Sequence, residues 1–129
     1  MKTSAQYQHM VAEIHLDEIK SEGISPAEAG EFLSKLETAH NQLLEVERSL
    51  NLDLRAFNAQ YQGRMASSLR DITSHHGKNR VEEEQRIQDE RESKLAPYED
   101  IKKQIAQMLS QVDELRAKLE KAKASPAKA

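Results

Sequence analysis

The stretch YEDIKKQIAQMLSQVDELRAKLEKA, Tyr98 to Ala122, places Tyr98, Ile101, Ile105, Met108, Val112, Leu115, Leu119 and Ala122 at alternating three- and four-residue steps, with no polar residue interrupting the series. That alternation is the heptad stripe of an α-helix that lies along another helix. A second stripe stands upstream. Leu33, Leu36, Leu43, Leu50, Leu54, Phe57 and Tyr61 repeat at the same period, with His40 and Glu47 as its two polar members. No β-branched run alternates apolar with polar residues, and no Asn-Gly or Asp-Gly joins two such runs, so strands are not expected.

The two stripes predict a register. If the chain reverses at Gly77-Lys78, Phe57 meets Tyr98, Leu54 meets Ile101, Leu50 meets Ile105, Leu43 meets Val112, Leu36 meets Leu119 and Leu33 meets Ala122. Every layer is apolar, while His40 faces Leu115 and Glu47 faces Met108. Charges beside the stripes follow the same register: Arg116, Lys118 and Lys121 come alongside Glu31 and Glu37, Lys102 and Lys103 alongside Asp53, and Glu82 to Glu84 with Glu90 alongside Arg64 and Arg70. Exposed ion pairs contribute only about 0.2–1 kcal/mol each. They select the register, and burial of the Leu/Ile stripe, about 1.5–3 kcal/mol per side chain, stabilises it.

The reversal is expected at His75, His76, Gly77 and Lys78. Gly77 can end the first long helix, the histidines occupy its last turn where the dipole favours positive charge, and Asn79 can cap the next helix ahead of Glu82 to Glu84. Adjacent histidines on a helix point about 100° apart, and neither a cysteine nor a third histidine is near them, so a metal site is not expected there. A lone Gly-Lys without upstream glycines cradles no phosphate.

The N-terminal part reads as a helix over about residues 5–22, with Tyr7, Met10, Val11, Ile14 and Ile19 as its apolar side and Gly23 as its stop. Ser25, Pro26 and Glu28 then form a Ser-x-x-Glu start for a helix over about 26–74. Phe32, Ala39 and Val46 widen the stripe of that helix where the N-terminal helix can fold back. A third helix, about 79–122, is expected to kink near Pro97 and hinge near Ala96. Between Gly77 and Lys94 only Val81 and Ile87 are aliphatic, which predicts a thin seam. The expected fold is therefore all-α: a long antiparallel coiled-coil helical hairpin with a short N-terminal helix packing on it, a three-helix head and a two-stranded arm. Residues 1–123 are expected to form one helical domain, and 124–129, three Ala with one Lys, one Ser and one Pro, a disordered basic tail.

Function is constrained mostly by exclusion. The chain has no cysteine, which removes thiol chemistry and disulfides. No segment has a signal peptide's apolar core or membrane-spanning length, and a cytoplasmic location is expected. A net charge of −3 gives no broad attraction to nucleic acid. Glu37 and His40 have the Glu-x-x-His spacing of half a di-iron site, but only one copy exists. No catalytic constellation or glycine-rich loop is present, so the expectation is a non-enzymatic protein without cofactor, metal or small-molecule substrate. The leading expectation is a protein-interaction, scaffold or chaperone-like coiled coil that acts through its head and can oligomerise. Leu16, Leu44 and Leu109 are the candidate interaction residues, since one two-stranded seam does not use them. The alternative is docking on nucleic acid or an anionic surface through the region from Arg116 onward, with five Lys/Arg against one Glu.

Overall fold

A computed structural model describes residues 1–75 and 80–124 of the chain, with side chains described for 1–66 and 81–124. Helix α1 spans Ser4–Ala12, a 3-10 turn spans Leu16–Glu18, and two long helices follow, α2 over Pro26–His75 and α3 over Arg80–Ala124. No strand occurs among the described residues. The fold is an all-α helical hairpin, α2 against α3, with α1 packed on both.

Both apolar stripes are inside. Leu36, Leu43, Leu50 and Leu54 of α2 are buried, as are Ile101, Ile105, Val112 and Leu119 of α3, and Phe57, Tyr98, Met108, Leu115 and Ala122 pack against them half-buried. Polar contacts fix the pairing. Arg64 meets Glu90 at 2.8 Å, the Lys94 ammonium lies 6.0 Å from the Tyr61 ring centre, and Arg116 bonds His40 Nδ1 at 2.9 Å. Positions descend along α2 as they ascend along α3, so the helices are antiparallel. Each pair is within one residue of the register that sets Phe57 opposite Tyr98. Arg91, which donates to Asn58 Oδ1 at 2.8 and 3.0 Å, reaches further along the seam.

The start of α2 is built as its sequence suggests. Glu28 N–H donates to Ser25 Oγ at 3.2 Å, and Glu28 Oε1 accepts from Ser25 N–H at 3.4 Å, so two amides at the helix start have partners. Gly23 adopts φ +65°, the left-handed region that glycine enters at low cost, and turns the chain into α2.

One expectation needs correction. The N-terminal helix ends at Ala12 instead of continuing to residue 22. At 100° per residue, an unbroken helix would set Leu16 about 180° from Tyr7, on the solvent side. Leaving the helix at Glu13 lets Tyr7, Val11, Ile14, Leu16 and Ile19 all reach the core, and all five are buried. Its start also carries an unanticipated capping box, in which Thr3 Oγ1 accepts from Gln6 N–H and Gln6 Oε1 accepts from Thr3 N–H. Pro97 lies inside α3, which continues through it. The carbonyl that proline leaves without a helical donor belongs to Ser93, an exposed residue, where water can complete it.

The arm is thinly packed, as its composition indicates. Ile87 is buried, but Val81 is 73% exposed. The tip residues His76, Gly77 and Lys78 lie outside the described residues, as does the side chain of His75, whose backbone closes α2. The tail beyond Ala124 is likewise outside them.

Candidate interaction surface

The N-terminal segment divides the hairpin into a covered flank and an open one. On the covered flank, polar groups form a directed chain. Lys2 Nζ donates to Ser49 Oγ at 3.1 Å. Ser49 Oγ and the Tyr7 hydroxyl are 3.1 Å apart, and Tyr7 donates in turn to Asp53 Oδ2. The same carboxylate oxygen accepts from the Lys2 backbone N–H at 3.1 Å, and the Tyr98 hydroxyl donates to the Lys2 carbonyl at 2.9 Å. Since Tyr7 gives its proton to Asp53, Ser49 must donate to Tyr7, so the side-chain bonds from Lys2 through Ser49 and Tyr7 all run from the ammonium toward the carboxylate.

Electrostatics follow from this geometry. The Tyr7 hydroxyl is pushed up to about 12, first by burial and then by its bond to Asp53. Asp53 is held below the usual carboxylate range, first by the Tyr7 hydroxyl and then by the Lys2 amide. Tyr7 also packs edge-on to Tyr98, ring centres 6.2 Å apart. The register alone pairs Asp53 with Lys102 and Lys103. Instead Asp53 serves the N-terminal segment, because the Tyr7 hydroxyl is buried and needs an acceptor, whereas an exposed lysine does not.

The open flank lies across the hairpin. A cleft of about 280 Å³ there is lined by Asn51, Leu54, Asn58, Arg91, Leu95 and Lys102 among others. Leu44 stands one heptad before Asn51 and Leu109 one heptad after Lys102, so both continue the walls of this cleft toward the head. Leu44 is also turned about 140° from both Ala39 and Ser49, which face the N-terminal segment. It is 42% exposed, and Leu109 is half-buried. The His40–Arg116 bond closes the same flank beyond them. Here His40 accepts from the guanidinium, so a seam histidine expected to face Leu115 is bridged by its neighbour in α3. Glu47 is half-buried on α2 between Leu43 and Leu50.

Of the three candidate interaction residues, Leu44 and Leu109 fall on this flank by their heptad positions relative to Asn51 and Lys102. Leu16 belongs to the core, 5% exposed under the N-terminal segment. The polar chain centred on Tyr7 had no local signature, since its members come from residues 2, 7, 49 and 53. Elsewhere, the arm holds a cleft of about 380 Å³ walled by Asn58, Tyr61, Met65, Ile87 and Arg91 among others. Among the described residues no group of three His, Asp or Glu side chains is placed to hold a metal ion, and no helix is long and apolar enough to cross a membrane. Comparison with family models, with curated proteins and with solved structures yields no match.

Proposed function

We propose that the chain is a non-enzymatic protein-interaction module, a scaffold or chaperone-like coiled coil, that meets a protein partner or a second copy through the open flank of its head. The observation that carries this reading is Leu44, a large apolar side chain 42% exposed beside half-buried Leu109 on the flank that the N-terminal segment leaves uncovered. Removing exposed apolar surface from water favours association, whereas exposed ion pairs contribute little.

The arm offers less to a partner. Its surface is organised by ion pairs, with Glu90 between Arg64 and Lys94 at 2.8 and 3.2 Å and Glu83 bonded to Arg86 on its own helix. Such contacts give salt-sensitive, weak association. In this reading the arm spaces its tip from the head, and the head binds.

Site-directed photo-crosslinking tests the assignment. With a photoreactive residue at position 44 in one full-length chain and at Gln85 in another, adducts are expected from 44, and Leu109→Asp in the same chain should suppress them. Adducts confined to position 85 would move the interaction surface to the arm, and adducts at 44 indifferent to Leu109→Asp would contradict a surface built on both leucines.

A further inference from the structure

The covered flank is occupied by the chain's own N-terminal segment, and the contacts of that segment define what the flank accepts. Residues 1–22 behave as a bound ligand. They form only a nine-residue helix, too short to persist alone, and then an irregular run in which Ile14, Leu16 and Ile19 are buried. Their seat is shaped by the hairpin: Ala39 and Val46 provide a buried apolar floor, Tyr98 an aromatic edge, and Ser49 with Asp53 the acceptors for a tyrosine hydroxyl and a lysine. Toward its end, Glu22 lies 3.9 Å from Lys118 of α3. The buried side chains of the segment join the hairpin's own seam, Leu36 to Leu54 and Ile101 to Leu119, in one continuous core.

One connection links this ligand to its seat, and its pivot is Gly23 at φ +65°. Every contact that seats residues 1–22 in one chain is available without alteration to the same residues of a second chain, because only the path through Ser21 to Ser25 differs. We propose that the N-terminal segment is an exchangeable strap, and that its seat on the hairpin is a docking groove for the strap of a second copy, reached by swinging at Gly23. Exchange of an identical element between chains opens a route to a dimer that builds no new interface. The specificity lies in Tyr7: the groove requires an aromatic ring against Tyr98 whose hydroxyl meets Asp53, followed by apolar side chains four, seven, nine and twelve residues on, as Val11, Ile14, Leu16 and Ile19 are. This groove lies away from Leu44 and Leu109, so the proposal stands or falls independently of the open flank.

The test shortens the connection. Deleting Lys20 to Glu22 from the full-length chain removes about 10 Å of reach, keeps the Gly23 pivot, and prevents the strap from closing on its own hairpin. Light-scattering mass of the purified deletion chain should double relative to the unaltered chain at the same micromolar concentration, with the amides of residues 5–19 still protected from hydrogen exchange. Adding Tyr7→Ala to the deletion should return the mass to that of one chain while far-UV circular dichroism keeps the hairpin's helicity. A deletion chain of single mass with an unprotected strap would overturn the proposal, as would a dimer that Tyr7→Ala leaves intact. Wild-type chain titrated with a labelled peptide of residues 1–22 gives a second readout: the Tyr7→Phe chain, whose own strap is weakened, should take up the peptide about tenfold more readily than wild type, and equal uptake contradicts the groove.

Discussion

Replacing Leu50 with alanine, and separately Leu52, isolates what the seam contributes. The two leucines are two residues apart in the middle of α2, so the change in helix propensity is the same at both sites. They differ in environment: Leu50 is fully buried in the seam, and Leu52 is 57% exposed. Truncating a buried leucine removes its transfer free energy and leaves a cavity, together about 2–5 kcal/mol. Around Leu50 the neighbours sit on long helices that cannot collapse inward without disturbing the layers on either side, so a loss of about 3 kcal/mol is expected. At roughly 4 °C per kcal/mol for a chain of this size, Leu50→Ala should lower the melting temperature by about 12 °C, and Leu52→Ala by no more than about 2 °C. Thermal melts followed by far-UV circular dichroism read both. Equal shifts would mean that α2 turns a different face to α3, and the register would be wrong.

Further outcomes concern the covered flank and the helix start. A double-mutant cycle between Tyr7→Phe and Asp53→Ala should show coupling of about 1 kcal/mol, below the usual 1.5–3 for a bond to a charged group because Asp53 is half-exposed; strict additivity would deny the bond. Asp53 is held low in the folded chain, so its contribution is complete above the ordinary carboxylate range and lost as pH falls through the folded value; acidification below about pH 4 should destabilise the Tyr7→Phe chain less than wild type. Tyr7 is raised to about 12, so its contribution is complete below pH 10 and lost between pH 10 and about 12, and melts across that window should fall more steeply for wild type than for Tyr7→Phe. Ser25→Ala should cost about 1 kcal/mol through loss of the cap on α2, and a silent substitution would show the cap to be redundant.

The long helices were legible because their information is periodic. Leu36, Leu43, Leu50 and Leu54 repeat often enough that no single neighbour matters, and the charges of Arg64 and Glu90 add a second, independent statement of register. The N-terminal segment was less legible because it departs from periodicity. Leu16 falls outside the helical face of Tyr7 and Val11, and only the need to bury it explains why the helix stops at Ala12. Thr3 and Gln6 do carry a local signature, the spacing of a capping box, and it marks a start without marking the end. Asp53 shows a further limit of pairing by register: two helices predict lysine partners for it, and a third element supplies a tyrosine that needs it more. The open flank was half legible. Leu44 and Leu109 could be counted as surplus to one seam, but that they share a flank while Leu16 does not depends on where the strap crosses.

The central claim is that one chain folds back on itself, and the distance between Asn41 and Glu114 tests it most directly. Both residues are exposed, and the register sets them across the seam. The absence of cysteine from the chain makes Asn41→Cys with Glu114→Cys a specific pair for spin labels. Diluting the labelled chain in excess unlabelled chain leaves only distances within a single molecule. Helices packed side by side are about 10 Å apart, so pulsed electron resonance should return a narrow distribution below about 30 Å once the label arms are included. A helix running straight from α2 into α3, paired with a second chain, would hold the same labels about 110 Å apart at 1.5 Å per residue, and loss of the short distance on dilution would contradict the hairpin.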